Sequence, residues 1–398
     1  MSRMSNSRYL LSVDVGSTHI HAVIAELDHS QNFKVMGIGS GVTQGLENGE
    51  ITVPKALCAA LDRAIKRAER DSGIRPSQLL ISIPPAQTQF GISYGLMMPK
   101  KSIITAEDRI TCIQKSKAAI MTHEQVIQHV IPVEYKVNGQ QVASPDGLAQ
   151  GPLEVSTFAV LMKAKQASSL LDVTGTLGLE VKGLIYGPMG LSHFCLSDQE
   201  RRQGALVIEI GAGFSSVTLF KNGAMISSHC IPIAGNRITQ DLMTCLSIDD
   251  AEAERLKVMF GCSNPDELEP NETHVMTTVD RGRVDVKRLY LARIIEARVI
   301  ELFQLLSKKA GIGPDFPYSI VIMGGTSAMR GIAQTAERVL GHPVRIGPHP
   351  NGPIDPSLWG YPTALGLIQL GIQTGVIEAP ASDGWMTRIR RMIQRDWF

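Results

Sequence analysis

Leu206-Val-Ile-Glu-Ile-Gly-Ala-Gly-Phe-Ser-Ser-Val-Thr-Leu-Phe220 is the stretch from which the fold can be read. An apolar run rich in β-branched residues enters it, Gly211, Ala212 and Gly213 turn it, and Ser215 to Phe220 leaves as a second strand. The N-terminal region repeats the device: Tyr9 to Val13 is a strand, Asp14-Val15-Gly16-Ser17-Thr18 turns it, and Ile20 to Glu26 alternates outward. Glycine at such tips lets backbone come close to a ligand, and N–H groups freed there can form an anion-binding nest. Phosphate is the natural guest. A carboxylate at the strand end, Asp14 or Glu209, repels phosphate directly and makes sense as the partner of a bridging Mg²⁺ and its waters. Either hairpin alone is weak evidence, because short Asp-x-Gly-x-Thr strings arise in ordinary β-turns; the pair carries the argument.

The chain has 398 residues, 43% of them hydrophobic, enough for two or three globular domains. Its 39 basic and 38 acidic side chains leave a formal net charge of +1, which gives no case for nucleic acid as a partner. Six cysteines (Cys58, Cys112, Cys195, Cys230, Cys245, Cys262) show neither a Cys-x-x-Cys pair nor histidines at metal spacing, as in a reduced, cytosolic protein. The N-terminal apolar segment is too short for a signal peptide, and no stretch reaches the roughly 18 apolar residues of a membrane span, so a cytoplasmic location is expected.

Along the chain, Phe33 to Gly39 reads as a third strand, and Leu57, Ala60, Leu61, Ala64, Ile65 and Ala68 recur at helical spacing before a strand at Leu79 to Ile83. From Pro84 the texture changes. Short extended pieces interrupted by Gly91 and Gly95, a helix capped by Thr105, strands at Gln125 to Ile131, Glu134 to Val137 and Leu153 to Met162 suggest an inserted α+β subdomain over 84–163. A helix at Lys165 to Thr176, a strand at Glu180 to Leu184 and a helix at Gly190 to Leu196 lead to the central hairpin. Beyond it lie a strand at His229 to Ala234, helices from Gly235 and Asp249, a polar segment of loops or short strands over 261–283, and one long helix from Val286 to Ala310. A buried strand at Tyr318 to Met323 then meets the sharp turn Gly324-Gly325-Thr326-Ser327. A helix at Gly331 to Leu340, a short strand at Val344 to Ile346 and an apolar helix at Thr363 to Gly371 follow, and 372–384 has linker composition.

Four separated pieces come in a telling order: Asp14-Val-Gly-Ser-Thr, Glu209-Ile-Gly-Ala-Gly, Ala253-Glu254-Arg255-Leu256-Lys257 and Val321-Ile-Met-Gly-Gly-Thr-Ser. This order resembles the actin, chaperone and sugar-kinase ATPase superfamily. Within it the chain is most similar to the FtsA family of bacterial cell-division proteins, along nearly its whole length. The family's features include His129-Val-Ile-Pro-Val-Glu-Tyr with Pro145-Asp-Gly-Leu, Ile231-Pro-Ile-Ala-Gly-Asn with Ile238-Thr, the Ala-Glu-x-x-Lys helix between Ser247 and Gly261, and Ile294-Ile-Glu-Ala-Arg-Val-Ile-Glu.

The resemblance implies an α/β, actin-like two-domain fold with an interdomain nucleotide cleft, an FtsA-type α+β inserted subdomain and a C-terminal amphipathic helix. The first domain would comprise 8–83, 164–196 and 357–371, the insertion 84–163, the second domain core 197–240 and 311–356, and a nucleotide-side and FtsZ-binding subdomain 241–310. ATP with Mg²⁺ would contact Asp14, Gly16, Ser17, Thr18, Glu209, Gly211, Ala212, Gly213, Gly235, Glu254, Lys257, Gly324, Gly325 and Thr326, with Asp14 and Glu209 holding the metal through water. Arg298 and Glu301 fall where the family binds the C-terminal tail of the tubulin-like FtsZ; taken without the resemblance, they read as a solvated i,i+3 ion pair. The family also implies self-assembly into filaments, recruitment of later division proteins through the insertion, and residence on the cytoplasmic face of the membrane at the division septum.

The terminal stretch Trp385-Met-Thr-Arg-Ile-Arg-Arg-Met-Ile-Gln-Arg-Asp-Trp-Phe398 carries a second signal. On a helix Trp385, Ile389, Met392, Ile393 and Trp397 share a face, with Met386 and Phe398 adding apolar surface and Arg388, Arg391 and Arg395 fanning out beside it. At about 1.5 Å per residue it spans roughly 21 Å, short of the ~30 Å hydrocarbon core, so it would lie in the interface of an anionic membrane. The competing reading is a helix that docks in a protein groove.

The central hairpin departs from the family's usual Asp-x-Gly-Gly-Gly-Thr at Glu209, Ala212 and Phe214. Glu209 adds a methylene, Ala212 a methyl at the nest, and Phe214 replaces a hydroxyl donor with a ring. Phosphoryl transfer depends on close placement of metal and water, and no general base stands out, so ATP binding with slow or absent turnover is expected. The alternatives are a small-molecule kinase or phosphatase of the same superfamily and a PilM-like pilus-assembly scaffold. The basic terminal segment favours neither.

Overall fold

The computed structural model describes residues 8–28, 32–122, 124–279, 282–348 and 355–376. They fall into two compact units, one holding 8–194, 223–227 and 355–376, the other 195–222 and 228–348.

The first unit begins with β1 (Tyr9–Val15), β2 (His19–Leu27) and β3 (Phe33–Val42), a small hairpin of β4 (Leu46–Glu47) and β5 (Glu50–Ile51), helix α1 (Pro54–Ser72) and β6 (Gln78–Ile83). The helical spacing read in the sequence has a direct cause here, because Leu57, Ala60, Leu61, Ala64, Ile65 and Ala68 are all buried against the sheet. Each large aliphatic side chain so buried contributes about 1.5–3 kcal/mol. The next elements are β7 (Thr88–Met97), α2 (Ala106–Ile120), β8 (Gln125–Val137), β9 (Gln140–Val142) and β10 (Leu153–Lys163), followed by α3 (Ala164–Thr176), β11 (Glu180–Tyr186) and α4 (Gly187–Cys195).

Two sheets result. One has the order β11-β6-β1-β2-β3, with β1 parallel to β6 and antiparallel to β2. The other, β7-β10-β8-β9, carries α2 and has its own core of Ile104, Cys112, Ile113, Val130, Val137, Leu153 and Val155. The Pro362–Gln373 helix belongs to the first unit, where Ser12 Oγ donates to its Ala364 carbonyl at 2.7 Å.

Several expectations shift in detail. The pieces between Pro84 and Pro99 are one ten-residue strand, β7, because Gly95 is no interruption: a Cβ there would stand 2.0 Å from the Cys112 carbonyl, so glycine admits α2 against the sheet. Pro132 does not split β8, since the ladder to β10 shifts register between Ser156 and Thr157 and absorbs it. Thr105 does cap α2, and it does so reciprocally with Asp108 in a capping box. The Pro362–Gln373 helix runs two residues into the stretch read as linker.

The second unit opens on a helix the sequence reading passed over, α5 (Asp198–Gln203), capped by Ser197 and Glu200. Then come β12 (Ala205–Ile210), β13 (Ser215–Lys221), β14 (Ala224–Ile231), α6 (Gly235–Leu246), α7 (Asp250–Phe260), β15 (Thr273–Thr278), β16 (Gly282–Lys287), α8 (Arg288–Ala310), β17 (Ser319–Met323), α9 (Ile332–Leu340) and β18 (Val344–Ile346). The sheet order is β14-β13-β12-β17-β18, with β12 antiparallel to β13 and parallel to β17. The long helix starts two residues later than its periodicity suggests, because the polar segment before it closes as the β15–β16 hairpin. Leu206, Ile208, Ile210, Ile238, Leu242, Leu256, Leu291, Ile295, Val299 and Phe303 form the common core.

Candidate functional site

In the first unit, Asp14 lies opposite His21 at the end of the β1–β2 ladder. Ser82 of β6 donates its hydroxyl to Asp14 Oδ1 at 2.7 Å and accepts from the Val15 N–H at 2.8 Å, which fixes the carboxylate beside the turn. Burial pushes the Asp14 carboxyl above its ordinary range, against the opposing pull of Ser82 and His21, and burial lowers His21 against the attraction of Asp14. The Gly16 N–H donates to the His19 carbonyl at 3.0 Å, closing the turn around Ser17 and Thr18. Thr43 then pins it from β3's far end, its hydroxyl donating to the Gly16 carbonyl at 2.8 Å and its N–H to the Thr18 carbonyl at 2.8 Å.

The second unit gathers the other predicted residues. The β12–β13 hairpin closes with the Gly211 N–H on the Phe214 carbonyl at 3.1 Å, and its tip accepts three further bonds. The first two N–H groups of α6 serve it: Gly235 donates to the Gly211 carbonyl at 3.0 Å and Asn236 to the Ala212 carbonyl at 2.8 Å. Thr326 Oγ1 adds a bond to the same Gly211 carbonyl at 3.0 Å. A Cβ at Gly235 would come 2.7 Å from Thr326 Oγ1, so glycine lets that hydroxyl and α6 close on the tip together. Glu209 Oε2 accepts from Ser216 Oγ at 3.1 Å, across the ladder. Burial, with the Glu209 charge adding to it, pushes the neighbouring Cys230 thiol up to about 12.

Lys257 and Glu254 sit one helical turn apart on α7 and meet over α6. Lys257 Nζ donates to Glu254 Oε2 at 2.6 Å, to Thr239 Oγ1 at 2.9 Å and to the Gly235 carbonyl at 3.3 Å; Thr239 in turn donates to Glu254 Oε2 at 2.7 Å. Thr239, which follows Ile238 in the sequence, is the bridge between them. Gly324 holds φ at +90°, in the glycine region, while nothing lies within 4 Å of where a Gly325 Cβ would stand. Backbone at Gly325 is therefore open to a neighbour. Glu209, Gly211, Ala212, Gly213, Gly235, Glu254, Lys257, Gly324, Gly325 and Thr326 thus form one neighbourhood in the second unit, whereas Asp14, Gly16, Ser17 and Thr18 form another in the first.

In the second unit, open backbone at Gly325 and a lysine held by a carboxylate are of a kind that suits a polyphosphate and a ribose. Glu209 there, and Asp14 in the first unit, are each a single carboxylate bonded to a serine, the kind of group that suits a Mg²⁺ keeping most of its waters. Among the described residues no group of three or more His, Cys, Asp or Glu is arranged to cage a metal directly.

Arg298 and Glu301 lie on α8. Arg298 is clamped bidentately by Asp241 of α6, Nε to Oδ2 at 2.5 Å and Nη2 to Oδ1 at 2.9 Å, and its third nitrogen reaches Glu301. The Asp241 hydrogen bonds hold the guanidinium above its usual range. Local spacing finds the Glu301 partner; Asp241, 57 residues upstream, is beyond any such rule. The expected membrane segment, 385–398, lies outside the described residues, and no helix among those described is long and apolar enough to cross a membrane.

The alternation of elements, the paired hairpins and the glycine turn define a protein of the actin-like ATPase fold. Solved structures of that fold match the chain: the PilM–PilN type IV pilus biogenesis complex (TM-score 0.63, 16% identity, 93% of this chain and 98% of that one) and MreB5 of Spiroplasma citri bound to AMPPNP (TM-score 0.57, 13% identity, 97% and 99%). A model of the family "Cell division protein FtsA" matches residues 206–366. FtsA proteins are similar over nearly the full length: that of Bacillus subtilis is 28% identical (94% of this chain, 86% of the relative), that of Pseudomonas aeruginosa 25% (94% and 91%), and that of Escherichia coli 24% (100% of each). The chain is thus similar to FtsA cell-division proteins along most of its length.

Proposed function

We propose that this protein binds ATP with Mg²⁺, assembles into filaments, and tethers FtsZ to the cytoplasmic membrane at the division septum, helping to recruit later division proteins through the 84–163 insertion. The observation that carries the reading is the gathering of Glu254, Thr239, Lys257, Gly235 and Thr326 around a glycine hairpin tip in a chain similar to FtsA along its length. When bound, ATP supplies a polyanion whose charge Mg²⁺ offsets. Gly325 would present backbone to it, Lys257 is held in place by Glu254 and Thr239, and Asp14 and Glu209 are the carboxylates that would hold the metal through its waters. The test is reconstitution: labelled FtsZ filaments should collect on anionic vesicles when this protein and ATP are present, and recruitment that is equal without the protein would overturn the reading.

Arg298 and Glu301 form the proposed FtsZ-tail site, with Asp241 keeping the guanidinium in place. Arg298→Ala should weaken binding of an FtsZ tail peptide by on the order of tenfold or more, in keeping with loss of a half-buried charged anchor. Fluorescence anisotropy with the full-length chain measures this, and an unchanged affinity would remove Arg298 from the site.

Glu209 is held by Ser216, so its role is read as orienting the metal's waters rather than taking a proton. ATP turnover is accordingly expected to be slow, and Glu209→Gln should leave equilibrium nucleotide affinity within a few-fold of the parent. A robust ATPase rate that this substitution abolishes would reverse the assignment.

A further inference from the structure

Helix α1 has two unlike faces. Leu57, Ala60, Leu61, Ala64, Ile65 and Ala68 are buried on the sheet, while Lys55, Arg63, Lys66, Arg67 and Arg70 are all exposed. At about 3.6 residues per turn, Lys55, Arg63, Lys66 and Arg70 fall on one stripe roughly 22 Å long, with Arg67 at its margin. Asp62 offsets Lys66 at 2.6 Å. The other four charges stand uncompensated. Arg67 Nη1 donates to the Ser40 carbonyl at 2.5 Å and Arg63 Nη2 to Gln44 Oε1 at 2.8 Å, neutral acceptors that hold each guanidinium in place without cancelling it. Asp71 is turned to the sheet, where it accepts from the Ile38 N–H at 2.9 Å. Among the described residues no carboxylate forms an ion pair with Lys55, Arg63, Arg67 or Arg70. Gly39 makes the reach to Ser40 possible: a Cβ there would stand 2.3 Å from the Ala64 carbonyl oxygen, so glycine lets α1 lie directly on β3, the outer strand of the sheet.

The place of this stripe narrows what it can meet. Helix α3 lies on the same face of the sheet, where its Leu170 and Val173 join the core that α1 covers. Val376 lines a hollow beside that layer, together with Leu171 of α3 and Gly183 of β11. From Val376, residues 377–384 reach at most roughly 26–29 Å, at about 3.3–3.6 Å each, before the basic segment Trp385 to Phe398 begins. A surface that holds the segment is thus kept close to this helix layer. The outer face of a single helix suits a flat array of phosphates, whereas a bound peptide asks for a groove or a strand edge. Nucleic acid gains no long-range attraction from a net charge of +1.

We propose that the α1 stripe is a second membrane contact, in which Arg63, Arg67 and Arg70, with Lys55, bind the phosphates of anionic lipid headgroups. The inference rests on the tethering role proposed above and adds a site to it. Stable attachment takes two signals, such as an apolar anchor and a basic patch. The terminal segment supplies the first and α1 the second. Each basic side chain near an anionic leaflet strengthens attachment about fivefold, so the stripe multiplies the hold of a segment already bound. Alone, with no apolar side chain to insert, it does not retain the chain. Two contacts also fix which face of the first unit looks at the bilayer, which one terminal tether cannot do.

The test is co-sedimentation of the full-length chain with vesicles of phosphatidylcholine and phosphatidylglycerol. Arg63→Gln, Arg67→Gln and Arg70→Gln combined should weaken binding on the order of tenfold to a hundredfold and flatten its salt dependence, at a melting temperature close to that of the parent. Arg63→Lys, Arg67→Lys and Arg70→Lys combined keep the charges and should bind within a few-fold of the parent. Undiminished binding by the glutamine combination, or an equal loss in the lysine combination, would overturn the proposal and leave the tethering role standing. A parent chain that ignores the vesicles would remove both. Loss of duplex DNA binding in the glutamine combination, with vesicle binding kept, would assign the stripe to nucleic acid instead.

Discussion

Gly324→Ala should cost about 2–4 kcal/mol of stability, enough to lower the melting temperature by roughly 5–15 °C. Two independent causes act at this position. The backbone holds φ at +90° and ψ at 166°, a region essentially closed to side chains. A Cβ there would also stand 2.4 Å from the Ile210 carbonyl oxygen and 2.9 Å from the Ile210 nitrogen, which are backbone atoms of β12 with no rotamer to yield. Ile210 is the residue before the hairpin tip, so relief of the clash must displace the tip itself. Nucleotide affinity should fall with stability in this variant. Gly325→Ala is the control: its Cβ meets nothing within 4 Å, and its melting temperature should stay close to that of the parent. Thermal unfolding followed by circular dichroism, with nucleotide binding measured below the transition, tests both; equal melting temperatures for the two variants would show that the turn is not constrained as described.

Deletion of Trp385 to Phe398 should leave the melting temperature unchanged while abolishing co-sedimentation with anionic vesicles. The argument rests on the sequence of that segment, whose apolar row and four arginines are of the kind that binds an interface. Each arginine near an anionic leaflet contributes about 1 kcal/mol, and the apolar side chains add a few more. A single such segment holds one molecule weakly; an assembly that presents many adheres by avidity, so the loss should be greatest for filaments. Undiminished sedimentation of the truncated chain, or its failure to fold, would instead favour a segment docked in a protein groove.

Much of the fold was legible because its signals are local. The α1 periodicity, the Thr105 cap and the glycine turns each act within a few residues, and each appears in the structure as read. Errors cluster where a distant element decides. Gly91 and Gly95 look like breaks in β7 until α2 is laid against them, and Pro132 looks like a strand end until the β10 register shift is known. The short helix α5 was missed although Ser197-x-x-Glu200 is a capping-box signature, because too few apolar residues follow to give it a period. The same division holds for the site. Glu254 with Lys257 could be found from spacing and resemblance, whereas Ser82 beside Asp14 and Asp241 beside Arg298 are separated from their partners by 68 and 57 residues, and only the folded chain brings them together.

Helix α6 is anchored along its first two turns. Its first two N–H groups are tied to the hairpin tip, its Thr239 hydroxyl is tied to Lys257 and Glu254, and its Asp241 grips Arg298 on α8. The stretch of helix from Gly235 to Asp241, roughly 9 Å at about 1.5 Å per residue, therefore acts as a stiff strut with three anchorages. A helix resists stretching far better than a loop does, so the strut can tilt or slide but scarcely lengthen. Strain applied at the glycine tip is thus carried mechanically to the guanidinium on α8, and a load on that guanidinium is carried back along the same axis.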